Sequence, residues 1–135
     1  VQLSLVEAAH LADGGRLTLD GTESEHVDRL RDRGRAVEGA RFDRRLQTYS
    51  ALRDAGIVPK TGFKFGADFR TYAEVESVET LGHSELLVRV LPEGHAFAPR
   101  DLALDVRLAH GVRKRMVFAL AREGLSWLVA ERLTP

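Results

Sequence analysis

The chain has 135 residues, of which 44% are hydrophobic and 30% charged. That suits one folded domain, or one domain and part of another, and argues against disorder. Twenty basic residues balance twenty acidic ones and cysteine is absent, so disulfides, thiolate metal sites and cysteine nucleophiles are excluded and a strongly basic nucleic-acid binder is not indicated, although a local basic patch remains open.

No apolar run approaches the ~20 residues of a membrane helix. No signal-peptide pattern opens the sequence and its first residue is valine, so the start is expected to be either processed or cut from a longer chain, with the cut favoured. The basic set is almost all arginine; the lysines are Lys60, Lys64 and Lys114. Arginine suits bidentate phosphate contacts and ring stacking, but a GC-rich genome is the preferred explanation of the bias taken alone.

In chain order, Leu3 to Ala12 reads as a short helix, with Ser4 as its cap and Glu7 as the box partner, stopped by Gly14 and Gly15. Arg16-Leu17-Thr18-Leu19 alternates like a strand. Thr22 is placed to cap a second helix running to Arg33, with Gly34 ending it. Phe42, Leu46, Tyr49 and Leu52 form the stripe of an amphipathic helix with one buried face. Gly56 terminates that helix and Pro59 prevents its return.

The period then changes. Thr61 to Gly66 and Asp68 to Tyr72 read as strands joined by a turn at Gly66-Ala67-Asp68. Glu85 to Leu91 is a third strand, broken by Pro92-Glu93-Gly94. Pro99 opens a helix with Leu102, Val106 and Ala109 on one face. Met116 to Ala121 is a continuous apolar strand, and after Arg122-Glu123-Gly124 the chain returns from Leu125 to Leu133. The expectation is an α/β domain over residues 41–135, with a mixed, largely antiparallel sheet flanked by two helices. Residues 1–40 read as the remnant of a small α/β N-terminal domain. The last hairpin is more apolar than a solvated edge should be; an oligomer interface and plain core explain it equally well.

The chemistry is narrowed by elimination. The histidines are His10, His26, His83, His95 and His110, with no i, i+4 pair and no HExxH pattern. Asp68, Glu85 and Lys114 could be imagined as a metal-nuclease set, but their spacing is not diagnostic. No phosphate loop, dinucleotide fingerprint or nucleophile elbow is present. Tyr72, His83 and Lys114 would form a coherent set: a tyrosine base, a histidine acid with an unperturbed pKa near ~6.5, and a lysine for transition-state charge. Such a set cleaves RNA through its 2′-hydroxyl without a metal. Each residue also has an ordinary reading, as a packed ring, a loop histidine and a solvated lysine, and spacing alone does not choose.

From Phe42 to the end the chain resembles the catalytic domain of the archaeal-type tRNA-splicing endonucleases, or tRNA-intron lyases. The resemblance is carried by Tyr49-Ser50-Ala51-Leu52-Arg53-Asp54-Ala55-Gly56 and by the run from Pro59-Lys60-Thr61-Gly62-Phe63-Lys64-Phe65-Gly66 through Asp68-Phe69-Arg70-Thr71-Tyr72. His83-Ser84-Glu85, Val106 to His110 and Val112-Arg113-Lys114 follow in order. Leu3 to Ala8 looks like the tail of the family's smaller N-terminal domain.

The resemblance implies that Tyr72 activates the 2′-hydroxyl, His83 protonates the 5′-leaving oxygen and Lys114 supports the transition state. It implies a precursor tRNA substrate with a bulge-helix-bulge, recognised by shape, and products with 2′,3′-cyclic phosphate and 5′-hydroxyl ends. It implies no metal and no cofactor, and a cytoplasmic location. Arg107 and Trp127 align with a pair that sandwiches a bulge base, although a lone tryptophan is more often core. His110 matches the pattern as structural support. Assembly is implied as a homo-oligomer or as paired related subunits, joined through the C-terminal strands. The turn Arg122-Glu123-Gly124 departs from the acidic docking loop of the family, being shorter with one acid, which leaves the oligomer type open. The alternative is a non-catalytic structural or RNA-binding subunit of the same fold, which would be expected to lose the trio.

Overall fold

The computed structural model describes residues 3–14, 23–73 and 86–133, with backbone alone at 23–26, 72 and 73. Two compact units divide at Ala51 and Leu52, inside the third helix; the expected boundary at 40/41 coincides with the start of that helix.

In the first unit, α1 (Leu5–Asp13) begins where the Ser4 hydroxyl accepts the Glu7 N–H at 3.2 Å, the cap that the sequence predicts. Val6, Ala9 and Ala12 are its buried face. The expected strand at Arg16–Leu19 lies outside the described residues. Helix α2 (Glu23–Glu38) runs past Gly34, correcting the predicted stop. Gly34 is buried inside the helix because the Phe42 ring lies against it: a Cβ there would come within 2.3 Å of that ring. The turn falls instead at Gly39, whose φ of +69° is the left-handed conformation glycine adopts without penalty. Beyond it, α3 (Ala40–Asp54) buries Phe42, Leu46, Tyr49 and Leu52 as predicted. Asp43 on α3 hydrogen-bonds Arg35 at 2.9 Å, raising the guanidinium pKa further. His10 hydrogen-bonds Ser50 at 2.9 Å and lies edge-on to Tyr49, so this histidine serves packing.

The second unit is a five-stranded sheet in sequence order: β1 (Ile57–Thr61), β2 (Phe69–Ala73), β3 (Leu86–Pro92), β4 (Arg115–Ala121) and β5 (Leu125–Ala130). Three pairings are antiparallel and β3–β4 is parallel, the mixed, largely antiparallel sheet expected. The parallel pair needs a crossover, supplied by α4 (Pro99–Gly111), which opens on Pro99. The first predicted strand is displaced: β1 starts at Ile57, and Phe63–Phe65 is a 3-10 turn. Gly62 causes this, because a Cβ there would lie 2.7 Å from the Phe69 backbone. Only glycine lets the turn fold so tightly onto β2.

Register assigns the two faces of the sheet. Leu87, Met116 and Phe118 share the face that packs with Ala109 of α4 and with Ala67. Phe97 meets Phe118 edge-on at 4.9 Å, and Arg89 on β3 pairs with Asp105 on α4 at 2.6 Å. Val88, Val117 and Ala119 are buried on the other face. The edge strand β5 exposes Trp127, Leu128 and Val129. Among the described residues, no helix is long and apolar enough to cross a membrane.

Candidate nucleic-acid interface

Lys114 stands at the junction of α4 and β4. The helix ends on Gly111, and Arg113 takes a left-handed φ of 58° to reverse the chain. That conformation is unfavourable for a residue with a Cβ. It is held by two backbone bonds: Arg113 N–H to the His110 carbonyl at 3.1 Å, and Lys114 N–H to the Ala109 carbonyl at 2.8 Å. The Lys114 ammonium lies 5.8 Å from the centre of the Phe65 ring, and the Arg70 guanidinium lies 5.9 Å from that same ring. An aromatic face attracts both cations.

Tyr72 sits on β2 opposite Val58. Thr71, Leu86 and Arg115 form one row across β2, β3 and β4. Tyr72 follows Thr71 and Lys114 precedes Arg115, so their backbones occupy one end of the sheet, two strand spacings apart, roughly 10 Å. His83 lies outside the described residues; Leu86, three positions after it in sequence, opens β3 at that same end.

Asp68 is pinned elsewhere. Its carboxylate accepts the Val90 N–H at 2.8 Å, and its own N–H donates to the Val88 carbonyl. It holds β2 against β3, and its imagined partner Glu85 lies outside the described residues. No group of three metal-ligating side chains occurs among the described residues.

Arg107 and Trp127 are not brought together. Trp127 is opposite Ala119, which lies between Phe118 and Leu120, both packed on the α4 side. Alternation therefore turns Trp127 away from the face carrying α4 and Arg107. Arg107 instead shares a cavity of about 600 Å³ with Arg100, Leu104, Glu131 and Arg132. A second cavity of about 160 Å³ holds Lys114 and His110 and shares Val106, Glu131 and Arg132 with the first. Between them the two cavities are lined by Lys114, His110, Arg132, Arg107 and Arg100, with the acid Glu131 common to both. Arg100 and Arg132 were not singled out from sequence. The i, i+7 spacing of Arg100 and Arg107 on one helical face is the signal that points to the former; Arg132 has no local signal.

The turn Arg122-Glu123-Gly124 is tight, with the Arg122 N–H donating to the Gly124 carbonyl at 3.1 Å. Glu123 is exposed there.

Residues 42–127 match the family described as tRNA intron endonuclease, catalytic C-terminal domain. Proteins named tRNA-splicing endonuclease are similar throughout: that of Haloarcula marismortui is 67% identical over 138 residues, and that of Natronomonas pharaonis 63% over 137, each match covering 100% of this chain. The Methanosarcina mazei protein is 44% identical over 124 residues, covering 90% of the chain. The chain spans only 40% of the length of the first two relatives and 35% of the third.

Proposed function

Since this chain belongs to the tRNA intron endonuclease family and matches its catalytic C-terminal domain over residues 42–127, we propose that it is the catalytic module, residues 41–135, of an enzyme that excises introns from precursor tRNA in the cytoplasm. Residues 1–40 are then part of a smaller preceding domain. The observation that carries the reading is a set of cations, Lys114, Arg132, Arg107 and Arg100, lining two cavities that share Arg132. Guanidinium groups grip phosphates bidentately and carry no base code, which fits a substrate chosen by its shape.

In this reading Tyr72 removes the proton of the 2′-hydroxyl. The freed oxygen attacks the adjacent phosphorus, and the P–O5′ bond breaks. His83 gives its proton to the departing 5′-oxygen, and the Lys114 ammonium offsets the extra charge on the phosphorane. The products carry a 2′,3′-cyclic phosphate and a 5′-hydroxyl. Side chains make every proton transfer, so neither a metal nor a cofactor takes part. Residue order along the sheet supports the arrangement, because Tyr72, the segment after His83 and Lys114 all map to one end. Arg107 and Arg132 hold flanking phosphates. The exposed edge formed by Trp127, Leu128 and Val129 supports pairing through the C-terminal strands, with a second copy or a related subunit.

The test is cleavage of an intron-containing precursor tRNA by the intact protein. The expected outcome is two cuts, one in each bulge of a bulge-helix-bulge, and none in a control stem whose bulges are paired. Equal cutting of both RNAs would refute shape selection.

A further inference from the structure

One exposed side chain stands apart from the two cavities. Phe63, at the tip of the β1–β2 connection, is 89% exposed. Leaving a phenylalanine in water forgoes roughly 1.5–3 kcal/mol of burial, and this ring is not displayed by a loose loop. The Phe65 N–H donates to the Gly62 carbonyl at 2.8 Å, the Gly66 N–H to the Phe63 carbonyl at 3.1 Å, and the Ala67 N–H to the Gly62 carbonyl at 3.1 Å. Gly62 is pressed onto the Phe69 backbone, and Gly66 takes a φ of +70°. The turn is built to hold Phe63 outward.

Its surroundings are cationic. Lys60 and Lys64 are exposed on either side of it. Register sets Lys60 directly opposite Arg70, a like-charge pairing that a sheet ordinarily disfavours. Arg70 and Lys114 both lie over Phe65, two residues from Phe63. Of the chain's three lysines, Lys64 is in this turn, Lys60 precedes it on β1 and Lys114 reaches the Phe65 ring from the α4–β4 junction, in a protein whose net charge is zero. An exposed aromatic ring among cations is what an unpaired base and its phosphates require.

We infer that Phe63 is a stacking platform for an unpaired RNA base beside the cleaved phosphodiester, with Lys60 and Lys64 holding the neighbouring phosphates. The inference rests on the endonuclease reading for the identity of the RNA and not for the stacking itself. It makes Phe63 a positioning residue that sets where the strand lies relative to Lys114.

The experiment uses the intact protein and a bulge-helix-bulge RNA with 2-aminopurine in the bulge and a 2′-deoxy sugar at the cut site, so that binding is read without cleavage. Phe63→Ala and Phe63→Leu should bind roughly 5- to 150-fold more weakly and lose the stacking quench of the fluorophore, while Phe63→Trp retains both. Thermal midpoints should stay close to wild type, since the ring is 89% exposed. Lys64→Gln should reduce the slope of log K against log salt by about 0.7. Equal affinity and quench in all variants would overturn the inference. So would an altered oligomeric mass with unchanged RNA affinity, because the ring would then serve a protein contact. A wild-type protein that quenches this RNA yet leaves the all-ribose version uncut would refute the catalytic roles while supporting the stacking.

Discussion

Lys114→Ala is expected to slow cleavage of the precursor by roughly 100- to 1,000-fold, with little change in KM and only a small drop in the thermal midpoint. The rate loss follows from the role. A fixed cation aimed at charge that appears only in the transition state typically contributes that factor, because substrate binding does not use it. KM is spared because Arg132, Arg107 and Arg100 line the cavities independently of it. Stability is largely spared because the junction is held by backbone bonds, from Arg113 and Lys114 to the end of α4, that an alanine also makes. Lys114→Arg should recover only part of the rate, since a planar guanidinium does not place its charge where an ammonium does. Single-turnover kinetics on saturating RNA measures this. A wild-type rate in the alanine variant would mean that Lys114 plays no part.

Phe118→Ala should destabilise the second unit by about 3–5 kcal/mol, the usual result of emptying a fully buried aromatic site. Phe118 is inaccessible to solvent, sits between β4 and α4 with Leu87 and Met116, and takes the edge of Phe97 at 4.9 Å. The aromatic pair adds about 0.5–1.5 kcal/mol beyond burial. Domains of this size have roughly 0.05–0.15 kcal/mol of stability per residue, so the loss takes a large share of the total. The proposed site would suffer with it, because α4 carries Arg100 and Arg107 and ends at the Lys114 junction. Phe118→Leu, which keeps most of the volume, should cost under about 1.5 kcal/mol. Urea unfolding midpoints distinguish the two; equal midpoints for Ala and wild type would contradict the packing described.

Sequence patterning reached furthest where one local rule decided the outcome. The Phe42–Leu52 stripe, the Ser4 cap, Pro99 at the start of α4 and the unbroken apolar run of β4 all stand as read. It failed where a glycine had two meanings. Gly34 looked like a helix stop and is a seat for the Phe42 ring; Gly62 looked like a strand residue and is the point where a turn touches β2. Both meanings depend on a partner distant in sequence or fold, which no local pattern encodes. The face that Trp127 takes was hidden for a related reason: it is set by pairing with β4, and a shift of one residue reverses it. The cavity lining was hidden because Arg132 joins Arg107 only after β5 has returned beside α4. For Tyr72, His83 and Lys114 residue type offered a coherent chemistry, and only the long motif run suggested that the three share a site.

In the proposed reaction RNA is cut by its own 2′-oxygen, with protein side chains alone moving the protons. The measurement that bears on it most directly is the identity of the new RNA ends after cleavage in excess EDTA. A 2′,3′-cyclic phosphate facing a 5′-hydroxyl, formed at an undiminished rate, is the predicted result. A 3′-hydroxyl facing a 5′-phosphate, or activity abolished by the chelator and restored by a divalent cation, would contradict it.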